Sequence, residues 1–203
     1  MTWQVSKFFD VCRDGVMGPS LDQQEVSGAS VILDAFAGRP LSWTAYALAT
    51  AWHETAHRMQ PISEIGGPNY CFRMYDHKGQ RPKVAARLGN DQDGDGYRYR
   101  GRGYVQLTGR RNYGYASRKL GVDLIANPDR AMEVNLAADI MFFGMSAGWF
   151  TDKSLGNILP AGRAAAAAEF VKARAIINGS DCAALIAGYA MQFQAALEAG
   201  GWE

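Results

Sequence analysis

Two histidines and a glutamate lie close together in the segment Trp43–Gln60, which reads WTAYALATAWHETAHRMQ. They are His53, Glu54 and His57, and a second glutamate, Glu64, follows ten residues after the first. Histidines and carboxylates are the side chains that most often bind zinc or transfer protons in enzymes. The segment is therefore the first candidate for chemistry, either as a zinc site or as half of an acid–base pair.

The zinc hypothesis rests on the pattern H-E-x-x-H. In zinc peptidases its two histidines share one helix face and its glutamate activates the bound water. The longer pattern H-E-x-x-H-x-x-G-x-x-H fails here, because Gln60 replaces the glycine and Ser63 the third histidine. His77 is the remaining candidate for a third ligand. The pattern is short and no third ligand is well supported, which favours histidines that bind no metal. We therefore expect neither a metal nor another cofactor.

The acid–base hypothesis needs two carboxyl groups in different environments, one protonated and one ionised. Glu54 lies near the end of a helix that is apolar or small almost all the way round, and burial disfavours a charged carboxylate. Glu64 lies beyond Pro61 in a glycine-containing stretch that water can reach. The residues fit Glu54 as a general acid and Glu64 as a general base, with a solvated loop charge as the alternative for Glu64.

The segment GRGYVQLT at positions 101–108 adds polar groups to this pair. If residues 104–108 form a strand, alternation places Tyr104, Gln106 and Thr108 on one face. Gln106 is then placed to bind a sugar hydroxyl or amide, and the Thr108 hydroxyl to orient a water. A dinucleotide fingerprint is excluded, because Gln106 occupies the position of the third glycine in G-x-G-x-x-G.

Three blocks of sequence follow one another in order: WHET, then YRGRGYVQLTGRRNY, then ARAIING. Together they resemble the family 19 glycoside hydrolases, which comprise plant-type chitinases and many phage endolysins. The likeness runs from about residue 42 to residue 196 and is greatest to the small, single-domain phage endolysins. Asn178-Gly179-Ser180 departs from the usual N-G-G at the end of the third block, although Asn178 itself is retained.

The resemblance implies a lysozyme-like, two-lobed fold that is mainly α (α+β), with a small β-sheet lining the cleft. It also implies inverting hydrolysis of β-1,4 glycosidic bonds, with the two carboxyls about 6.5–9.5 Å apart. Glu54 matches the general acid, Thr108 matches the residue that holds the attacking water, and Glu64 is the predicted base. The substrate-binding residues are predicted to be Gln106, Asn112, Asn178, Tyr104 and Tyr70, although the two tyrosines could instead pack the sheet edge.

We expect the substrate to be the glycan strands of bacterial peptidoglycan, cut for host cell lysis. The closest alternative is a chitinase acting on N-acetylglucosamine polymers. Two alternatives come from other classes: a zinc-dependent peptidoglycan peptidase using His53, Glu54 and His57, and a non-catalytic glycan-binding module. The module would normally show a substituted Glu54, and here the glutamate is intact.

The composition limits the other functions. A chain of 203 residues, 48% apolar, with a net charge of +1 and no basic run, gives no electrostatic case for nucleic acid. No apolar run reaches the roughly 20 residues of a membrane span, so no stable membrane association is expected. We predict a monomer whose residues 1–203 form a single catalytic domain, with a lead-in at 1–19 and no wall-binding domain.

The N-terminal residues lack the basic and apolar pattern of a secretory signal. Cys12, Cys71 and Cys182 are an odd number without a C-x-x-C pair, which favours free thiols packed as small apolar groups. We therefore expect the protein in the host cytoplasm, reaching the cell wall through a holin-type pore.

The motif Asp91-x-Asp93-x-Asp95-Gly96 opens like a calcium loop. Because Arg102 stands where that loop needs a bidentate glutamate, a tight turn is predicted.

The elements are predicted from caps, periodicity and turn residues. A helix should begin at the capping boxes Ser20-x-x-Gln23 and Asp22-x-x-Glu25, and the central helix should run from an N-cap at Ser42 to near Gln60. Residues 61–90 are predicted as loop and 91–108 as the main β structure. Further helices are predicted at 112–120, 132–145, 161–177 and 183–198.

Overall fold

The computed structural model describes residues 2–203 and is mainly helical, with one two-stranded sheet, as predicted. The first elements in chain order are α1 (Val5–Asp14), α2 (Gln23–Ala35), α3 (Leu41–Glu54), β1 (Ile62–Ser63), α4 (Pro68–Tyr75), α5 (Pro82–Leu88), α6 (Asp95–Arg98) and β2 (Arg102–Gly103). The remaining elements are α7 (Arg110–Leu120), a 3-10 helix (Pro128–Met132), α8 (Val134–Ala147), α9 (Leu155–Ile158), α10 (Ala167–Ala173), a second 3-10 helix (Arg174–Ile176) and α11 (Ala183–Gly200).

The chain divides into two compact units. Unit 1 comprises Met1–Gln60 and Gly144–Glu203, and unit 2 comprises Pro61–Phe143. Unit 1 therefore contains Glu54 and Asn178, whereas unit 2 contains Glu64 and the 101–108 segment. No helix within residues 2–203 has the length and apolar character that a membrane crossing requires.

Helix α3 forms the centre of unit 1, where it packs against α11 and α2. Ten of its 14 residues are buried. Small side chains such as Ala47 and Ala51 let the neighbouring helices approach closely, while Leu48 and Trp52 fill the core. The prediction of a central buried helix is confirmed.

Helix α3 ends at Glu54, six residues earlier than the prediction of an end near Gln60. Ala56, His57 and Met59 have φ values of 51°, 68° and 50°, a left-handed conformation that cannot continue a right-handed helix. The predicted N-cap was also wrong. Ser42 lies inside the helix, where its hydroxyl donates to the carbonyl of Pro160 instead of capping a turn.

The left-handed turn after α3 is held by specific contacts. The Thr55 hydroxyl donates to Ala51 O over 2.7 Å and accepts from Met59 N over 3.0 Å. The carbonyl of Met59 lies against Gly28 of α2, where a Cβ would meet it at 1.6 Å. Gln60 Nε2 donates to the carbonyl of Gln24. Helix α2, which begins at the predicted Asp22–Glu25 capping box, thus fixes the turn that follows the candidate acid.

The sheet of unit 2 pairs β1 with β2 in antiparallel register, with Ile62 opposite Gly103 and Ser63 opposite Arg102. The prediction of a strand over residues 104–108 was wrong. The chain turns back after β2 so that Leu107 bridges to Arg102, and Gln106 at the turn has a φ of 53°. A left-handed residue breaks the alternation on which that prediction rested.

The segment predicted as loop, residues 61–90, contains the helices α4 and α5. Both begin with a proline in the first turn, Pro68 and Pro82, a position that helices favour. The predicted aspartate turn is confirmed, and it leads into the short helix α6. Asp95 there accepts from the backbone of Asp91 and Gln92 and binds the guanidinium of Arg110. Residues 91–108 were expected to carry most of the β structure, and they contribute β2 and the bridge between Arg102 and Leu107.

Three of the predicted C-terminal helices are confirmed to within two residues at each end, as α7, α8 and α11. The predicted helix over 161–177 shortens to α10 and the second 3-10 helix. Gln194 explains the difference, because its side chain accepts from Ala165 N and donates to Ala165 O. These tertiary hydrogen bonds hold the backbone extended despite the helix propensity of alanine.

Candidate functional site

Glu54 is the last residue of α3, and it pairs with a buried arginine. Arg174 Nη1 lies 2.7 Å from Glu54 Oε1, and Arg174 Nε donates to the carbonyl of Asp181 over 2.8 Å. The Arg174 side chain is 2% exposed and that of Glu54 is 18% exposed. The carboxyl is thus only partly buried, and its neighbour is a cation. The guanidinium fixes the orientation of the Glu54 carboxyl.

Tyr46, Thr50 and Glu54 lie on one face of α3, because residues four apart in a helix are neighbours. Burial raises the pKa of Tyr46 to about 12, so its hydroxyl stays protonated. Tyr46 and Thr50 each have a buried side-chain oxygen without a hydrogen bond of good geometry to the described residues. The face of α3 that carries Glu54 is therefore polar but uncharged at Tyr46 and Thr50, and it lies next to Arg174.

The two histidines do not form the arrangement that the zinc hypothesis requires. His53 is in α3, but His57 lies beyond its end in the left-handed turn, so they do not share a helix face. The His57 ring stacks on Trp52 with centroids 4.6 Å apart, and its Nε2 lies 3.3 Å from the Tyr189 hydroxyl. The predicted helix-face pair of zinc ligands was wrong.

One group of three residues within the part of the chain that the structure describes has metal-ligand geometry: Asp76, His77 and Asp93 in unit 2. The buried Asp76 carboxylate already accepts from the backbone of Gly94 and Gly96. Asp93 is paired with Lys78 over 2.7 Å. The cluster thus anchors the aspartate turn.

Glu64 is held by two neutral donors of unit 2. The Tyr75 hydroxyl donates to its Oε1 over 2.8 Å, and Gly101 N donates to its Oε2 over 3.1 Å. Burial, followed by the neighbouring Glu64 carboxylate, raises the pKa of Tyr75, which keeps the phenol protonated and able to donate. These two donors fix the orientation of the Glu64 carboxylate.

Gly101 connects Glu64 to the predicted water-binding residue. A Cβ at Gly101 would lie 2.6 Å from Gln106 Oε1 and 3.3 Å from the Thr108 hydroxyl, so the position requires glycine. Gln106 Nε2 donates to Ile62 O over 3.1 Å, and the Thr108 hydroxyl donates to Gln106 O over 2.7 Å. The Thr108 oxygen keeps lone pairs that can accept a hydrogen bond from a water.

The other predicted substrate-binding residues differ in accessibility. Tyr104 and Asn112 are buried, and Asn112 Nδ2 donates to the carbonyl of Thr108. Tyr70 is 39% exposed on α4 and contacts the Tyr75 ring edge-to-face at 6.3 Å. In unit 1, Asn178 is exposed in the turn after the second 3-10 helix, four residues beyond Arg174. Sugar binding by these four side chains stays a prediction.

Two groups that hold the carboxylates were missed by the sequence analysis. Tyr75 lies in a segment that was predicted as loop, and the amide of Gly101 gives no side-chain signal. Arg174 lies in the third motif block, but its pairing with Glu54 spans 120 positions. No local pattern indicates that contact.

The family model described as chitinase class I, that of glycoside hydrolase family 19, matches residues 42–170. The chain belongs to glycoside hydrolase family 19. The family is one of glycoside hydrolases, enzymes that cleave glycosidic bonds.

Two plant relatives match this family 19 chain in part. Chitinase 8 of Oryza sativa subsp. japonica is 31% identical over 105 residues, which are 52% of this chain and 33% of the relative. Endochitinase B of Zea mays is 35% identical over 115 residues, or 56% of this chain and 34% of the relative. The matched part thus spans about a third of the length of these relatives.

Solved structures share the fold over almost the whole chain. Chitinase C from Streptomyces griseus HUT6037 aligns with a TM-score of 0.63 at 21% identity, covering 96% of this chain and 76% of its own. A bacterial family 19 chitinase aligns with a TM-score of 0.55 at 21% identity, covering 98% and 95%. The fold expected for this family 19 chain is thereby confirmed.

Proposed function

We propose that this family 19 glycosidase is an endolysin that hydrolyses the β-1,4 bonds of bacterial peptidoglycan with inversion. The observation that carries the mechanism is that each of the two carboxyl groups is fixed by donors of its own. Arg174 binds Glu54, while the Tyr75 hydroxyl and the amide of Gly101 bind Glu64. Two oriented carboxyl groups are what an acid–base glycosidase requires.

In this mechanism Glu54 protonates the glycosidic oxygen as the bond to the leaving sugar breaks. Arg174 stabilises the carboxylate that remains on Glu54 after proton transfer. Stabilisation of a charge that develops in the transition state lowers the barrier. Arg174 also keeps the carboxyl from rotating away from its productive orientation.

Glu64 is proposed to take the proton of the attacking water, with the Thr108 hydroxyl orienting that water. Tyr75 and Gly101 hold the Glu64 carboxylate in a fixed orientation. The Thr108 hydroxyl is itself oriented by its bond to Gln106 O, so its accepting lone pairs have a defined direction. We propose that the Glu54 and Glu64 carboxyls lie about 6.5–9.5 Å apart, as inversion requires.

Peptidoglycan is proposed as the substrate because the three sequence blocks are most similar to those of compact endolysins. Free thiols at Cys12, Cys71 and Cys182 also favour folding in a reducing compartment, as for a lytic enzyme made in the host cytoplasm. We further propose release to the wall through a holin-type pore. Chitin is the second candidate, and it is favoured by the plant and bacterial relatives that are named chitinases.

The decisive experiment is digestion of purified peptidoglycan and of a chitin oligosaccharide by the wild-type protein, Glu54→Gln and Glu64→Gln. Mass spectrometry identifies the new reducing ends, and NMR of the first product shows which anomer forms. We expect peptidoglycan cleavage with inversion, lost by at least a hundredfold in both variants. Near wild-type lysis by a folded Glu54→Gln protein would refute the mechanism, and cleavage of chitin alone would establish the second candidate.

The zinc peptidase alternative is tested in the same assay with EDTA. We expect full activity after chelation and products that carry new sugar reducing ends. Loss of activity in EDTA with recovery in zinc, together with new peptide termini, would support the peptidase.

A further inference from the structure

Unit 2 contains a concave site of about 520 Å³ that is lined by four arginines. We call it the arginine pocket and define it by Arg98, Arg100, Arg102 and Arg130, with Asp129 at its edge. It lies where β2 packs against the 3-10 helix Pro128–Met132. The acid–base mechanism uses none of these five residues.

Arg102 forms the rigid base of the pocket. Its side chain is 2% exposed and binds Asp129 through Nε over 2.9 Å and Nη2 over 2.7 Å. Its Nη1 donates to the Tyr113 hydroxyl and to the carbonyls of Arg98 and Arg100. Both nitrogens contact the same oxygen of Asp129, Oδ1, so the pocket already holds one carboxylate against a guanidinium.

Arg98 and Arg100 are held in place mainly by uncharged groups. Arg98 Nη2 donates to the carbonyls of Ile125 and Ala126, each over 2.9 Å. Arg100 lies over the Tyr97 ring at 4.3 Å and donates through Nε to the Ser63 hydroxyl. These contacts orient the two guanidinium groups and leave their charges largely uncompensated.

The pocket therefore carries an excess of positive charge. Asp129 is its one lining carboxylate, and it is bound by Arg102, with Arg100 Nη2 further away at 3.9 Å. Arg130 pairs with Glu133, an exposed residue outside the lining. In residues 2–203 no carboxylate lies within ion-pair distance of Arg98. Fixed guanidinium groups with spare charge are a recognition site for an anionic ligand.

The arginine pocket shares its strands with the proposed base. Arg100 contacts Ser63, which directly precedes Glu64, and the amide of Gly101 donates to Glu64 itself. Arg100 is therefore linked to Glu64 through two chain neighbours, its partner Ser63 and the following residue Gly101. The pocket thus adjoins the catalytic half-site of unit 2.

We propose that the arginine pocket binds the carboxylates of the peptide stems attached to peptidoglycan strands. This inference rests on the proposed function, since those stems are borne by the substrate proposed above. Arg98 and Arg100 provide the free charge, Arg130 closes the edge, and Arg102 holds Asp129 in place. Chitin has no peptide and no carboxylate, so the pocket favours peptidoglycan over chitin.

A binding experiment tests the pocket apart from catalysis. Stem peptides released from peptidoglycan are titrated into the wild-type protein, Arg98→Gln and Arg130→Gln, with Arg87→Gln as the control. Arg87 is an exposed arginine of α5 outside the lining, and its replacement by glutamine removes the same charge from unit 2. We expect Kd to rise about tenfold in each pocket variant and to keep its wild-type value in the control.

The same titration uses stem peptides whose carboxyls have been amidated, and separately inorganic phosphate. We expect the amidated peptides to bind at least tenfold more weakly than the native ones. Equal affinity for both peptides, or pocket variants that bind like wild type, would overturn the proposal. Binding of phosphate without binding of stem peptides would overturn it in favour of a phosphate polymer.

An activity experiment links the pocket to the substrate. The ratio of kcat/KM on peptide-bearing strands to that on strands stripped of peptides should fall about tenfold in Arg98→Gln. Arg130→Gln, whose side chain is exposed, provides a second variant if Arg98→Gln folds poorly. An unchanged ratio in a folded variant would refute the pocket's role. If the wild-type protein cleaves neither strand, the proposed function fails, while the titration still decides what the pocket binds.

Discussion

Arg174 and Glu54 are 120 positions apart in the chain, yet their side chains meet over 2.7 Å. Arg174 is 2% exposed, so its charge has little access to water. The Arg174 guanidinium donates to the carboxylate of Glu54 and to the backbone carbonyl of Asp181. The candidate acid is therefore part of the structure of unit 1 as well as of its chemistry.

Replacing Arg174 should affect stability and activity together. Arg174→Ala removes one partner of a largely buried pair, so we expect the free energy of unfolding to fall by about 3 kcal/mol. Arg174→Lys keeps the charge but not the second bond to Asp181, and should recover part of the stability and activity. Urea denaturation and peptidoglycan lysis measure the two effects. Full activity in Arg174→Ala would show that the guanidinium does not orient Glu54.

Tyr75→Phe removes one of the two donors to Glu64. We expect kcat to fall roughly tenfold, because the carboxylate loses a donor that fixes its orientation. Tyr115→Phe, at an exposed position of α7, is the matched control and should keep wild-type activity. Equal activity of the two folded variants would show that Tyr75 does not position Glu64.

Thr108→Val and Thr108→Ser separate the hydroxyl from the shape of the side chain. Valine leaves Gln106 O without its 2.7 Å donor and removes the proposed water ligand, so we expect a loss of roughly tenfold to a hundredfold in kcat. Serine retains the hydroxyl and should retain most of the activity. Equal activity of the two folded variants would remove Thr108 from the mechanism.

Gly28→Ala tests the contact that fixes the turn after α3. The new Cβ would meet Met59 O at 1.6 Å, so the turn or α2 must shift, and we expect a loss of about 3 kcal/mol in stability. Gly188→Ala is the control, because it lies in α11 with no atom within 4 Å of the new Cβ, and should stabilise by about 1 kcal/mol. Chemical denaturation of both variants provides the comparison. Wild-type stability in Gly28→Ala would show that the turn tolerates displacement.

Glu169 predicts a pH dependence of stability at acid pH. Its hydrogen bond to Arg163, and next that to Ala166 N, lower the pKa of Glu169 to about 2. A carboxyl with a lowered folded-state pKa adds stability above its unfolded pKa, and that stability is lost as the pH falls towards the folded value. Glu169→Gln should therefore have a lower Tm than wild type at pH 6, with a difference that narrows from pH 5 towards pH 2. A constant difference across that range would contradict this role for the ion pair.

The sequence was sufficient where the information is local. The Asp22–Glu25 capping box, the apolar composition of α8 and α11 and the buried character of α3 each depend on residues that are near neighbours in the chain. Motif blocks indicated family 19 for the same reason, because they preserve residue types at fixed spacing. Glu54 was identified in this way as the candidate acid.

Only the tertiary structure decided the features that depend on distant contacts. Helix α3 ends at Glu54 because Thr55 and α2 hold a left-handed turn, and this removes His57 from the helix face of the zinc pattern. Arg174 reaches Glu54, and Tyr75 and Gly101 reach Glu64, through folding that no spacing encodes. Residue types and spacing thus determined which groups can do the chemistry. Long-range packing determined their orientation and hydrogen-bond partners, because these depend on which side chains become neighbours.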